Sequence, residues 1–315
     1  MLSTDAFLEG VHFLPRAHPP RDIGYKALAR ATSDLAAMGA AARFFLLSLA
    51  LPASRTGAWL DSFLKGMGEA ANEFGMTLIG GDTSRYPSVE MDITVGGSAG
   101  AHGVLTRAGA RPGDLIYVSG TLGGAQLGLE LILHGLDGKA STPKILRGSQ
   151  WRRLLQPHLR PRIQLELGRW LAGENPSRRQ VASAAIDTSD GLSTDLNHIC
   201  KASGVGARLW AAKIPAIRVP EALRRRSLGI DPLRLALHGG EDYQLLFTVP
   251  PALVPGLPRR VHGVQLTQIG KVVRLPARAT ERASRVELVR TNGRVGPLRA
   301  GGWDPFARRS SNKKD

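Results

Sequence analysis

Four short stretches of the sequence couple a carboxylate to hydroxyl groups: Ser3-Thr4-Asp5, Ser33-Asp34, Gly81-Asp82-Thr83-Ser84 and Asp187-Thr188-Ser189-Asp190. Carboxylates assisted by a few hydroxyls and waters are ligands for hard cations, and Mg²⁺ is the natural occupant where phosphate oxygens complete the shell. Asp and Ser are also ordinary turn and N-cap residues, and that explanation serves any single cluster equally well. It serves the set less well. Acids are scarce in this chain, and three of the clusters follow apolar strand-like runs, the first of them truncated, where open sheets gather ligand groups. Asp34 is the sharpest case: it falls late in a helical pattern, where no cap is expected, so it needs a partner or a cation.

Two glycine pairs, Gly80-Gly81 before Asp82 and Gly239-Gly240 before Glu241-Asp242, supply backbone that can approach a ligand closely. Neither forms a Gly-x-x-x-x-Gly-Lys-Ser/Thr phosphate loop, and no Gly-x-Gly-x-x-Gly precedes a helix. His12 is open to three readings, a ligand contact, a metal ligand or a packed histidine, with packing favoured. Arg107 lies in a polar link where a phosphate contact and a solvated arginine are both reasonable. The histidines have no local pattern with Ser and Asp that would mark a nucleophilic triad.

Periodicity indicates what positions these groups. Asp22 is expected to cap a helix carrying Ala27, Leu28, Ala31, Leu35 and Met38 and stopping at Gly39, followed by a buried strand from Phe44 to Leu51. A second helix with Trp59, Phe63, Met67, Ala70, Ala71 and Phe74 ends at Gly75, and a strand from Met76 to Ile79 runs into Gly80-Gly81-Asp82. The alternation from Glu90 to Val95 predicts a strand with one wet face. A turn at Arg111-Pro112-Gly113-Asp114 precedes the strand Leu115 to Val118 and places a domain boundary between residues 112 and 113. Beyond it come a helix from Ala125 to His134, a surface stretch from Gly135 to Ser149 and a helix near Arg162 to Ala172. The strand Ala184 to Ile186 then enters the Asp187 cluster, followed by a helix to Ser203. After Gly270 the chain becomes Arg- and Pro-rich, and residues 307–315 are expected to form a disordered basic tail.

The chain has 315 residues, 43% hydrophobic and 22% charged, with 37 Gly and 20 Pro, which is globular composition with room for about two domains. One cysteine, Cys200, can form no internal disulfide and no thiolate zinc site, and fits a reducing, cytoplasmic setting. No stretch approaches the roughly 18 apolar residues of a membrane helix, and residues Met1 to Asp5 carry no signal-peptide pattern. The net charge of +16 favours phosphorylated ligands, but the basic runs are short, and 5% aromatic content argues against a nucleic-acid stacking surface.

Taken together, Ser3-Thr4-Asp5 with Glu9-Gly10-Val11-His12-Phe13, Tyr25-Lys26-Ala27-Leu28, Ser33-Asp34-Leu35-Ala36-Ala37-Met38-Gly39, Gly80-Gly81-Asp82-Thr83, Asp187-Thr188-Ser189-Asp190-Gly191-Leu192 and Gly239-Gly240-Glu241-Asp242-Tyr243 resemble the thiamine-monophosphate kinase family in order and spacing. The resemblance runs from Ser3 to about Phe306. It implies transfer of the γ-phosphoryl group of ATP to thiamine monophosphate, and an α+β fold of two domains like that of aminoimidazole ribonucleotide synthetase. In that fold a mixed N-terminal sheet with helices on one face pairs with its twin in a homodimer, and a C-terminal α/β domain spans residues 113–306. By resemblance the Mg²⁺ ligands are Ser3, Thr4, Asp5, Asp34, Asp82, Asp187 and Asp190, which hold cations rather than act as bases. Gly81, Asp82, Arg107 and Ser189 would meet ATP, and His12, Glu241 and Trp303 would meet the thiamine phosphate.

Members of that family carry, upstream of the Ser-Thr-Asp segment, a strand with a Gly-Asp-Asp-Ala motif, which this sequence starts too late to contain. The resemblance therefore implies a first domain without its first strand, weaker Mg²⁺ binding and low activity. The competing expectations are an aminoimidazole ribonucleotide synthetase-like enzyme and an inactive remnant. Cys200 sits in neither of the places where selenophosphate synthetase and the hydrogenase-maturation carbamoyl dehydratase keep a reactive cysteine.

Overall fold

The computed structural model describes residues 1–134, 149–224, 229–275 and 285–306. Residues 135–148 of the surface stretch expected from Gly135 to Ser149, Arg225 and Arg226, and the tail 307–315 lie outside the described residues, and Ser149 opens a helix instead.

Four strands form the first sheet: β1 (Leu2–Leu8), β2 (Ala41–Leu51), β3 (Thr77–Arg85) and β4 (Glu90–Ser98), in the order β1-β4-β2-β3. Only β2 and β3 run parallel, and the crossover between them is helix α2 (Ala58–Phe74). Helix α1 (Pro20–Ala37) connects β1 to β2. The two helices lie together on one face of the sheet and approach so closely that a Cβ on Gly24 would sit 2.0 Å from the Phe63 carbonyl oxygen, and one on Gly66 1.7 Å from that of Arg21. Only glycine permits that spacing.

Several local expectations need correction. Asp22 does not cap α1: extended Pro19 is the N-cap and Pro20 opens the helix, where a fixed φ and a missing N–H cost nothing, so Asp22 falls in the first turn and binds Arg160 instead. Strand β2 is not buried on both faces. Phe45, Leu47, Leu49 and Leu51 face the helices, whereas Leu46 and Ser48 are exposed on the opposite face. Strand β3 does not end at Ile79, because its ladder with β2 continues through Ser48↔Asp82 to Leu51↔Arg85 and so carries Gly80-Gly81-Asp82 within the strand.

The second sheet gathers β5 (Leu115–Ser119), β6 (Ala184–Asp187), β7 (Gly206–Trp210), β8 (Leu245–Val249), β9 (Arg260–Val261), β10 (Val264–Val273), β11 (Val286–Val289) and β12 (Val295–Pro297). Its order is β12-β11-β7-β10-β5-β8-β6, with β9 paired to β10, and its ladders are antiparallel except β11 with β7. The helices of this part are α3 (Gly124–Leu133), α4 (Ser149–Leu159), α5 (Leu165–Leu171), α6 (Leu192–Ser203), α7 (Glu221–Arg224) and α8 (Pro232–His238).

Alternation within β5 shows how the layers fit. Tyr117 joins the core that contains Leu35 and Ala36 of α1 and Leu171 of α5, while Ile116 and Val118 join a second core with Leu196 and Ile199 of α6 and Ala236 of α8. The second sheet is thus covered on both faces, which accounts for the burial of every residue of β8, Thr248 included. The first core is shared by both sheets, so α1 is an inner helix bearing on strands of both.

Candidate active site

Helix α1 displays Lys26, Arg30 and Asp34 at intervals of four residues, a spacing that stacks side chains along one helix face. That face meets the loop Asp187–Asp190, which leaves β6, the loop Gly239–Tyr243, which enters β8, and strand β1. Ser3 and Asp5 alternate with exposed neighbours on β1 and share its inward side with Phe7. Ser3 Oγ donates to Asp34 Oδ2, and Ser33 Oγ donates to Asp187 Oδ2 at 2.6 Å.

The two loops are zipped to each other by backbone bonds: Glu241 N donates to Ser189 O at 2.8 Å and Tyr243 N to Thr188 O at 3.0 Å. Between these bonds Glu241 and Tyr243 both adopt left-handed φ, +65° and +48°, which non-glycine residues seldom do. Asp242 holds the turn in place by accepting from the amides of Gly123 at 2.5 Å and Ala125 at 3.0 Å, at the start of α3. The C-terminal segment closes over the same loop. Gly301 N donates to Ser193 Oγ at 3.2 Å and Trp303 N to Asp190 O at 3.0 Å, and a Cβ on Gly302 would lie 1.9 Å from that Asp190 oxygen.

These elements enclose a cavity of about 730 Å³, within the range of small-molecule sites. Asp5, Asp34, Asp187 and Asp190 line it, as do Arg107 and Ser189. His12, Glu241 and Trp303 line it as well. Ser3 reaches the group through Asp34. Thr4, Gly81 and Asp82 are not brought there. Register explains why: Thr4 pairs with Thr94, Thr94 with Leu46 and Leu46 with Gly80, one row below Ser48 and Asp82, so Thr4 and Asp82 stand on the open face of the first sheet. Thr94 Oγ1 donates to Thr4 Oγ1 on that face at 3.1 Å. Gly81 lies in β3, an edge strand exposed along its length.

The carboxylates repel one another. Burial pushes the Asp5 carboxyl up to about 6, with Arg30 opposing and Asp34 and Asp190 adding to the rise. Burial and then Asp34 push Asp187 up to about 7, and burial raises Asp190 too. A set of all-oxygen donors that resist ionising together is a site that a hard divalent cation completes, so these residues fit Mg²⁺. Burial and then Arg30 bring His12, also on the cavity wall, down to about 4, and its Nδ1 accepts from the Leu8 amide at 2.9 Å. The ring is therefore neutral and its Nε2–H is the donor side.

Sequence reasoning missed Arg30, which lines the cavity with its guanidinium 3.6 Å from Asp5. It also assigned no role to Lys26. Stepping back by four from Asp34 would have found both. Asp195 was missed too: it is buried, with Oδ2 accepting from Gly191 N at 2.9 Å and Oδ1 without a hydrogen bond among the described residues.

The family models for the AIR synthase related protein match this chain, the N-terminal domain over residues 1–101 and the C-terminal domain over residues 111–278. Thiamine-monophosphate kinase of Escherichia coli (strain K12) is 43% identical over 249 residues, covering 79% of this chain and 70% of that protein. Thiamine-monophosphate kinase of Synechococcus elongatus is 33% identical over 289 residues, covering 92% and 84%. The solved structure of AaThiL complexed with AMPPCP and TMP superposes with a TM-score of 0.78 at 31% identity, covering 97% of this chain and 86% of that one.

Proposed function

We propose, because this chain belongs to the AIR synthase related family and within it to the thiamine-monophosphate kinases, that its cavity transfers the γ-phosphoryl group of ATP to thiamine monophosphate, giving thiamine diphosphate and ADP. The observation that carries this reading is the convergence of Asp5, Asp34, Asp187 and Asp190 with Arg30 and Arg107 in one cavity that His12, Glu241 and Trp303 also line. Phosphoryl transfer asks a protein chiefly to align two anions and neutralise charge, and this is such a toolkit.

Asp5, Asp34, Asp187 and Asp190 would hold Mg²⁺, with Ser3 orienting Asp34. When bound, the ion neutralises phosphate oxygens and the charge that develops on the transferred group. Arg107 and Ser189 hold the ATP phosphates. Arg30, between the carboxylates and Glu241, is placed to receive the acceptor phosphate, and guanidinium matches phosphate geometry. Because the second pKa of a phosphate monoester is about 6, the acceptor is already a nucleophile near neutral pH and no side chain need serve as general base. The relatives named as thiamine-monophosphate kinases favour this reading over an aminoimidazole ribonucleotide synthetase-like activity.

The open face of the first sheet exposes Leu2 and Leu46, and we propose it as the surface of a homodimer, the arrangement in which Thr4, Gly81 and Asp82 could join a site. No helix among the described residues is long and apolar enough to cross a membrane. The cytoplasmic setting is proposed on the buried free thiol of Cys200.

Incubation with thiamine monophosphate, ATP and Mg²⁺, with free thiamine as control acceptor, tests the activity. Thiamine diphosphate from thiamine monophosphate alone, abolished by Asp187→Ala, is the expected result. Product from free thiamine, or ATP consumption without thiamine diphosphate, would overturn it.

A further inference from the structure

Behind Glu241 lies a buried polar chain that plays no part in the reaction as described above. Lys26 is 1% exposed, yet its Nζ donates to Glu241 Oε2 at 2.7 Å. His158 Nδ1 lies 3.3 Å from the same oxygen. Its Nε2 is 2.9 Å from His18 Nε2, and His18 Nδ1 is 3.1 Å from Leu14 N. Lys26, His158 and His18 are each buried, the two histidines at the inner wall of the cavity, whereas Glu241 keeps 22% of its side chain open to it.

Two directions of donation are open to this chain, because Lys26 Nζ also lies 3.5 Å from His158 Nδ1 and His18 Nδ1 3.1 Å from Leu14 O, and the contact of His158 with Glu241 selects one. The Glu241 carboxylate can only accept, so His158 carries its hydrogen on Nδ1 and donates it to Oε2. Burial, with Lys26 beside it, holds His158 below its ordinary value, so the ring is neutral and its Nε2 accepts from His18 Nε2–H. Burial and Lys26 bring His18 down to about 3, leaving its Nδ1 to accept from the Leu14 amide. Burial would raise the Glu241 carboxyl, but Lys26 and His158 outweigh it and hold the group below the usual carboxylate range. Both anchors fall on one oxygen of Glu241, which leaves Oε1 for the cavity.

From this arrangement we infer that Lys26 and His158 are positioning residues for the acceptor substrate, fixing Glu241 as an ionised, one-sided acceptor for a cationic, amino-bearing heteroaromatic ring. The inference deepens the kinase reading and rests on it. A solvated glutamate in the same loop would rotate and share both oxygens with water. Here one oxygen is tied back by a cation that has no other carboxylate partner among the described residues, and the left-handed φ of +65° at Glu241 orients the side chain further. The chain also ends on the backbone at Leu14, two residues from His12, so it braces two parts of the acceptor wall at once.

The test compares wild type, Lys26→Met, Glu241→Gln and the double variant in steady-state kinetics, with thermal melts alongside. Lys26→Met is expected to raise KM for thiamine monophosphate by about tenfold or more while KM for ATP stays within about twofold, the signature of lost acceptor binding. In the Glu241→Gln background the same substitution should add nothing, because a residue acting only through Glu241 has no further effect once the carboxylate is gone. The double variant removes both charges at near-constant volume, so it folds even where Lys26→Met alone leaves a carboxylate without its cation. His158→Gln, which can still donate, should raise KM less than His158→Leu. Unchanged KM in Lys26→Met, additive effects in the double variant, or equal rises in both KM values would overturn the inference while leaving the kinase reading intact. Wild type without thiamine diphosphate formation would overturn the kinase reading and this inference with it.

Discussion

Ser33 Oγ donates to Asp187 Oδ2 at 2.6 Å, joining the inner helix of the first domain to the last residue of β6 in the second. The bond is buried, and it fixes one carboxylate oxygen while leaving the other to the cavity. One helix turn thus supplies a hydroxyl that orients Asp187 and, in the next residue, the carboxylate Asp34 that opposes it. The carboxylate cluster is therefore built between domains, and its geometry depends on how α1 packs against β6.

Substituting Asp34→Asn is expected to reduce the rate of thiamine diphosphate formation by about 10²- to 10³-fold, the cost of removing one charged group from a preorganised electrostatic site. Melting temperature should hold or rise, because Asn retains the Ser3 contact and relieves repulsion on Asp5 and Asp187. A variant with wild-type turnover would remove Asp34 from the metal set.

The legibility of this site follows from chemistry and phase. Asp34 stood out because a carboxylate late in a helix lacks a local reason to be there. The Asp187 cluster stood out because it follows an apolar run. Lys26 and Arg30 carry side chains that are solvated by default; helical spacing from Asp34 puts them on its face, and the packing of α1 shows that this face points inward. His158 comes from α4, a helix the periodicity did not yield, with Pro157 inside it. The separation of Thr4 and Asp82 from Asp5 turns on strand register, and a single residue of register exchanges the faces of a strand.

Without a cation, the carboxylate cluster should contribute less to stability as pH rises, opposite in sign to buried His12 and His18, whose lowered values favour folding at higher pH. Asp5 at about 6 and Asp187 at about 7 both titrate above the ordinary carboxylate value. The folded state therefore binds their protons more tightly than the unfolded state does, and the stability they lend is complete below about pH 4 and lost as pH climbs through 6 and 7. Buried Asp242, also near 7, works in the same direction but lies away from the cluster, so the metal-dependent difference is what reports the site. Melting curves in chelator and in Mg²⁺ should diverge from pH 5 to pH 8. Parallel curves would show that no cation relieves the repulsion.

Arg30→Met tests the acceptor phosphate contact. A hydrogen bond to a charged group contributes roughly 1.5–3 kcal/mol, so kcat/KM for thiamine monophosphate should fall about 10- to 100-fold. Arg30→Lys should recover only part of the loss, since an ammonium keeps the charge without the planar fork. Full activity in Arg30→Met would leave the guanidinium as a structural partner of Asp5 alone.

Gly302→Ala isolates the role of the C-terminal segment. The added methyl would lie 1.9 Å from the Asp190 carbonyl oxygen and 2.7 Å from Thr194 Oγ1, a clash that backbone on one side cannot relieve, so the segment must lift. Lifting breaks the Trp303 N to Asp190 O bond and removes the indole from the cavity, but it disturbs little core, because Trp303 is 43% exposed. The expected outcome is a raised KM for thiamine monophosphate with a melting temperature close to wild type, and Trp303→Ala should show the same pattern without any strain. If Gly302→Ala alone loses activity while Trp303→Ala keeps it, the segment acts on the Asp190 loop through its backbone and the indole makes no contact that matters to the acceptor.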